Sequence, residues 1–168
     1  MNIKKLVLTL ALLGMTVAVQ AAEGKFAFID VQKIFTEADA AKAAQTSLSK
    51  KQAQYKKELE AMGESLQKLN EDLKQSTTTD TATSDKAKQF QTKREEYSKK
   101  LADYEKRLTD ERNSVRDNIL KALKQASQTI AKEKGYAAVL SSNQSMYYDE
   151  ELDITADALA RVNAAVKR

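Results

Sequence analysis

The sequence predicts an α+β protein that is mainly α-helical, with a long antiparallel coiled-coil hairpin inserted in a small base of strands and one helix. Two heptad patterns of apolar residues and the absence of proline predict the hairpin, because nothing interrupts either helix. Short apolar segments with the character of buried strands flank the hairpin on both sides and predict the base.

The first 21 residues have the pattern of a secretory signal peptide. Lys4 and Lys5 precede an apolar run from Leu6 to Val19, and Val19 and Ala21 place small side chains at a cleavage site. The run is shorter than the roughly 20 residues that a membrane-spanning helix needs. We therefore expect cleavage after Ala21, with an uncleaved anchor or a buried N-terminal helix as the alternative.

The composition argues against several classes of function. The chain has no histidine and no cysteine, and therefore lacks the imidazole and thiolate groups of zinc sites and of Ser-His or Cys-His nucleophile systems. It also has no glycine-rich loop of the kind that holds phosphates. We predict a protein that is not an enzyme and that has no catalytic residue, no cofactor and no metal ion.

The first apolar segment after the signal peptide, Phe26 to Val31, is predicted to be a buried strand. In a strand, Phe26 and Phe28 point to one face, and Ala27 and Ile29 point to the other. Because both faces are apolar, we expect the strand to be covered on both sides.

A heptad pattern predicts the first helix of the hairpin. Its apolar residues recur at spacings of four and three, which is the seam of a coiled coil. The residues between them are rich in Lys, Glu, Gln and Ala, which favour helix. The seam consists of Tyr55, Leu59, Met62, Leu66, Leu69 and Leu73.

The polar segment 76–84 is predicted to be the loop at the tip of the hairpin, with Ser84 or Asp85 as the cap of the second helix. That helix is expected to end at Lys134, with Gly135 as its C-cap. Two heptad helices joined by a short loop fold back on each other in antiparallel fashion. The second seam consists of Phe90, Tyr97, Leu101, Tyr104, Leu108, Val115, Ile119, Leu123, Ala126 and Ile130.

The remaining segments complete the base. Tyr136–Leu140 is predicted to be a second strand and Ser145–Tyr148 a third, and Thr155 opens a last amphipathic helix. Three short strands and one short helix bury little apolar surface. We therefore expect several bases to share one core.

The chain is thus predicted to have three parts. Residues 1–21 form the signal peptide, residues 37–134 the arm, and residues 22–36 together with 135–168 the base. The net charge of +4 falls to about +2 without the signal peptide, and the basic excess lies on the second arm helix. So small a charge on an exported chain does not suit a nucleic-acid binder, so we expect no nucleic acid as a partner.

Three groups of residues carry a resemblance to a known family. The motif AFIDVQKIF at 27–35 resembles the opening strand motif of the Skp/OmpH family of periplasmic chaperones. The pairs GY at 135–136 and VL at 139–140, followed by DIT at 153–155, resemble the family's closing pattern. The order of signal peptide, strand, hairpin, strands and helix matches along the whole mature chain.

The resemblance implies a homotrimer, in which three bases share a small β-barrel body and three arms project as tentacles around a cavity. It also implies a periplasmic holding chaperone that binds unfolded outer-membrane β-barrel proteins without ATP and prevents their aggregation. A structural or adaptor coiled coil of the envelope that binds one folded partner is the alternative. The candidate trimer core consists of Phe26, Phe28, Ile29, Val139 and Leu140.

The arm offers candidate contacts for such a client. Methionine and the apolar residues near the tip suit adaptable contact, although seam residues also serve simply to join the helices. Basic residues near the tip suit acidic clients, anionic lipid or lipopolysaccharide, or form a solvated helix face. Gly63 is the candidate hinge, or a tolerated glycine inside a helix. The candidate client contacts are Met62, Leu69, Phe90, Lys86, Lys88, Lys93 and Arg94.

Overall fold

The computed structural model describes residues 24–75 and 81–166. The predicted signal peptide therefore lies outside the described residues. The described part is mostly helical and has a small strand base, which confirms the predicted fold class of the single chain. Its elements are β1 (Lys25–Ile29), α1 (Val31–Glu37), α2 (Asp39–Gln75), α3 (Thr81–Lys134), β2 (Tyr136–Ser141) and α4 (Thr155–Ala165), with 3-10 turns at Ser142–Gln144 and Glu150–Leu152.

The two strands come from opposite ends of the described chain and pair in parallel. Phe26 lies beside Ala138, and Phe28 lies beside Leu140. A parallel pair needs a long crossover connection, which here is the whole helical hairpin. Gly135 joins that hairpin to β2 with a φ of 72°, so it ends α3 in the left-handed C-cap conformation that the sequence predicts.

Helices α2 and α3 form the antiparallel hairpin. Ser47 hydrogen-bonds Glu111 near the base, whereas Ser65 accepts a hydrogen bond from Lys93 farther out. The 37 residues of α2 span about 55 Å, and the 54 residues of α3 span about 80 Å. The longer helix therefore continues past the start of α2 and into the base.

The buried core lies where the last part of α3 meets β1, α1 and α4. In the part of the hairpin beyond this core, residues 49–75 and 81–114, only Tyr104 is buried among the residues described. We call this part the outer arm. The core consists of Ala27, Ile29, Ile34, Ala38, Ile119, Ala122, Leu123, Ala126, Ile130, Ile154, Ala158 and Val162.

The prediction of a tip loop over 76–84 is wrong for its last four residues. Helix α3 begins at Thr81, so neither Ser84 nor Asp85 caps it. Threonine and serine disfavour helix interiors, but the first turn tolerates them, since its backbone N–H groups lack partners within the helix. Residues 76–80 lie outside the described residues.

The prediction of a third strand at 145–148 is also wrong. The backbone of Ser145 is extended, with a φ of −117° and a ψ of 136°, but the segment pairs with neither β1 nor β2, the strands of the described residues. Instead, the Ser145 hydroxyl donates a hydrogen bond to the Tyr147 carbonyl at 2.6 Å. Such a local bond competes with strand pairing.

Candidate functional site

The base sheet has one covered face and one open face. Ala27 and Ile29 are buried in the core, whereas Phe26 is 49% exposed and Leu140 is 39% exposed. Within one chain, β1 is therefore covered on one side, although its sequence predicts cover on both. The outer sheet face consists of Phe26, Phe28, Ala138 and Leu140.

The structure separates the five candidates for the trimer core into two groups. Phe26, Phe28 and Leu140 share the outer sheet face. Ile29 is buried in the core of its own chain, and Val139 packs against that core. Of the five candidates, Phe26 and Leu140 are the ones that the single chain leaves exposed.

An exposed apolar loop lies beside the outer sheet face. Met146 is fully exposed, and Tyr147 is 84% exposed. The ring of the next residue, Tyr148, stacks on Phe28 with centroids 4.4 Å apart. Clustered exposure of large apolar side chains is typical of an interaction surface. Met146 and Tyr147 are not among the site residues predicted from the sequence, although two adjacent large apolar residues in a turn-rich segment are a visible signal.

Two tyrosines cross the seam in the middle of the arm. The rings of Tyr55 and Tyr104 stack with centroids 3.8 Å apart and planes inclined by 4°. The Tyr104 hydroxyl donates a hydrogen bond to Glu58 and accepts one from the Lys100 ammonium at 3.3 Å. Lys100 also lies 3.7 Å from the Glu58 carboxylate. We call these four residues the tyrosine clasp; they fix the register of α2 against α3.

The clasp has a defined protonation state at neutral pH. The hydrogen bond from Tyr104, followed by one from Gln54, lowers the pKa of Glu58. The same bond raises the pKa of Tyr104, because loss of its proton would place two negative groups together. The bond to Tyr104 raises the pKa of Lys100. Glu58 is therefore ionised, Tyr104 neutral and Lys100 charged.

The seam opens into a groove of about 520 Å³ next to the clasp, which we call the mid-arm groove. Gly63 lies on its border, and a Cβ added there would meet no atom within 4 Å. This position therefore adds no side chain to the border of the groove. Its apolar walls are formed by Leu59, Leu101 and Leu108 with the rings of Tyr55, Tyr97 and Tyr104.

The predicted client contacts lie at or beyond the outer end of this groove and do not form one site. Met62 and Lys93 line a smaller recess of about 230 Å³. Lys88 pairs with Asp85 at 3.7 Å on its own helix. Leu69, Phe90 and Lys86 are half-buried, and Arg94 is exposed.

Helix α2 continues through Gly63 without interruption. The hinge at this position stays a prediction.

Among the residues that the structure describes, no cluster of three or more acidic side chains is arranged to hold a metal ion. Within the same residues, no helix has the length and apolarity needed to cross a membrane.

Comparison with known proteins supplies a family and a fold. The family model described as "Outer membrane protein (OmpH-like)" matches residues 25–162. A crystal structure from Caulobacter crescentus CB15, described as an outer membrane chaperone (OmpH-like), has a TM-score of 0.74 and 18% identity to this chain. The superposition covers 87% of this chain and 88% of the other, so the two share a fold. No curated protein matches the chain.

Proposed function

This chain belongs to the OmpH-like family, and on that premise we propose that it is a periplasmic holding chaperone that works without ATP. Its clients are unfolded outer-membrane β-barrel proteins, which it keeps from aggregating. The observation that carries the proposal is the family match over residues 25–162, which spans both the base and the arm. The protein with the shared fold is itself described as an outer membrane chaperone. The signal-peptide pattern of residues 1–21 supports the periplasmic location.

The surface of the outer arm supports a holding role. No side chain of residues 49–75 and 81–103 is buried, and Leu101 on the seam is 38% exposed. Such a surface offers many weak apolar contacts along its length. Several arms acting together bind a flexible chain by multivalency, which needs no specific interface.

Basic side chains near the tip add an electrostatic attraction. Lys88, Lys93 and Arg94 are exposed, and Lys86 is half-buried. They suit negatively charged client segments and the anionic headgroups of lipid or lipopolysaccharide. Capture of this kind is fast and weakens as salt is added.

The base supports assembly into a homotrimer. A two-stranded sheet is marginally stable alone, and the outer sheet face leaves Phe26 and Leu140 uncovered. Three bases that share one β-barrel body cover these residues and pair the open sheet edges. The three arms then project from one body around a cavity.

Light scattering after chromatography tests the holding function. A urea-unfolded outer-membrane β-barrel protein is diluted into the mature chain, residues 22–168, without ATP. We expect a soluble complex of three chains with one client. If the client aggregates as it does alone and the chain elutes unchanged, the holding function is wrong, and an adaptor for a folded envelope partner becomes the better proposal.

A matched pair of leucines tests the assembly surface. Leu140, on the outer sheet face, and Leu120, on α3, are each 39% exposed. We expect Leu140→Lys to convert the trimer into monomers, because burying an unpaired charge inside a shared body costs free energy. Leu120→Lys is expected to keep the trimer. Circular dichroism shows whether both variants fold, and a folded trimer of Leu140→Lys would contradict the assignment.

A further inference from the structure

We propose that the mid-arm groove is a binding site for extended polypeptide. The groove takes segments in which apolar or aromatic side chains alternate with polar ones, and it prefers segments with basic ends. The inference rests on the proposed holding function, because it names the client segment that the arm contacts. Strands of membrane β-barrels alternate apolar and polar residues and carry aromatic residues at both membrane interfaces. The unfolded form of such a protein contains segments with this pattern.

The length of the groove suits an extended segment. Its lining runs over residues 52–63 of α2 and 97–108 of α3, a rise of about 16 Å along each helix. In an extended chain, side chains two residues apart point the same way and lie about 6.6–6.8 Å from each other. Two successive same-side residues therefore fit along the groove, and its volume lies within the usual range of ligand pockets.

The walls of the groove are apolar and held in place. Leu101 and Leu108 of α3 oppose Leu59 of α2 across it. The clasp fixes the orientation of the Tyr104 ring, since its hydroxyl already has partners in Glu58 and Lys100. A side chain that enters therefore meets a preorganised apolar and aromatic surface, which favours aromatic contacts.

The charge at the rim selects the ends of the segment. Lys56 and Glu60 form an ion pair with each other at 3.7 Å. Within the described residues, the carboxylate of Glu105 has neither an ion pair nor a hydrogen bond. The charged side chains that line the groove, Lys56, Glu60 and Glu105, therefore carry a net charge of −1, which attracts lysine or arginine and disfavours anionic lipid. The basic residues near the tip have the opposite preference.

Gly63 gives a direct way to close the groove. The position is helical, and a Cβ added there meets no atom within 4 Å, so a side chain can be introduced at the border of the groove. Gly63→Leu fills the groove, and Gly63→Ala is the matched control that adds one methyl group. Glu105→Lys inverts the charge of the rim and leaves the walls unchanged.

Fluorescence anisotropy with labelled peptides tests the site on the full mature chain. The probe is a peptide of about nine residues in which tyrosine and threonine alternate, with lysine at both ends. We expect Gly63→Leu to weaken its binding about tenfold, because the leucine occupies the apolar space, and Gly63→Ala to change it by less than about twofold. We expect Glu105→Lys to favour the same peptide with glutamate ends.

Two further probes separate the outcomes. A peptide of equal composition, with its tyrosines consecutive, binds more weakly if the groove selects alternating side chains. Wild-type affinity of Gly63→Leu, or equal affinity for both peptides, overturns the proposal. A third outcome also overturns the proposal: the wild-type chain binds anionic phospholipid vesicles and no peptide, and Gly63→Leu abolishes the vesicle binding. The groove is then assigned to lipid.

The holding function is measured separately on the same variants, as suppression of aggregation of an unfolded β-barrel protein. If the wild-type chain suppresses aggregation and Gly63→Leu binds peptide normally, the groove proposal alone fails. If the wild-type chain does not suppress aggregation but binds the alternating peptide, and Gly63→Leu weakens that binding, the holding function alone fails.

Discussion

The base and the outer arm are stabilised in different ways. In the base, Ile34, Ile119, Ile130 and Val162 are fully buried and come from different parts of the chain. In the outer arm, among the residues described, only Tyr104 is buried, and the two helices are joined by a half-exposed seam and by polar bridges. One chain therefore combines a firmly packed anchor with a surface that keeps apolar side chains accessible.

The largest expected effect contrasts a core residue with a seam residue. Ile130→Ala creates a cavity in the base and is expected to lower the free energy of unfolding by about 3 kcal/mol. Leu66→Ala, at a half-buried seam position, is expected to lower it by about 1 kcal/mol. Urea unfolding followed by circular dichroism, at one protein concentration, measures both. Equal losses would contradict the distinction between base and outer arm.

The next effect has the opposite sign. Gly63→Ala is expected to raise the stability of the outer arm by about 1 kcal/mol, because alanine favours helix and meets no neighbour within 4 Å. Amide hydrogen exchange distinguishes the two regions: protection should increase around Gly63 and stay constant near Ile130. A decrease in protection near Gly63 would mean that the helix needs the freedom of glycine there.

The smallest expected effect concerns the tyrosine clasp and depends on pH. Since the pKa of Glu58 is lowered in the folded chain, its contribution is complete above its ordinary pKa of about 4.3 and is lost as pH falls below that value. Tyr104→Phe should therefore lower the melting temperature slightly between about pH 5 and about pH 8 and have less effect below about pH 4.

Tyr97→Phe provides the matched control for the clasp, since Tyr97 also lines the groove but belongs to no clasp hydrogen bond. At each pH, the melting temperature of the variant is compared with that of the wild type, because acid also destabilises the base region of the chain. There, ion pairs with Arg161 lower the pKa of Glu133 and Asp157. A constant effect of Tyr104→Phe down to acidic pH would exclude Glu58 as its partner.

The parts of the fold that could be predicted depend on local information. The spacing of Leu59, Leu66, Leu101 and Leu108 predicts two helices with apolar seams, whatever the helices pack against. Gly135 predicts the end of α3, since few other residues adopt its backbone conformation readily. Strands β1 and β2 follow from short apolar runs.

The remaining features depend on distant parts of the chain. The sequence places Tyr55 and Tyr104 on the seams of two helices, but it does not give the register that lets their rings stack. Alternation shows that Ile29 and Phe28 point to opposite faces, but it does not show which face the core of the same chain covers. The segment 145–148 has the composition of a strand but finds no partner strand among residues 24–75 and 81–166.

The parallel pairing of β1 with β2 also has a consequence for the order of folding. Phe26 meets Ala138, more than one hundred positions later in the chain, and such distant contacts form slowly because a long loop must close. The hairpin contacts near the tip, such as Ser65 with Lys93, join positions much closer in sequence. A newly made chain can therefore form its helical hairpin before β1 pairs, because β2 follows the hairpin in the sequence.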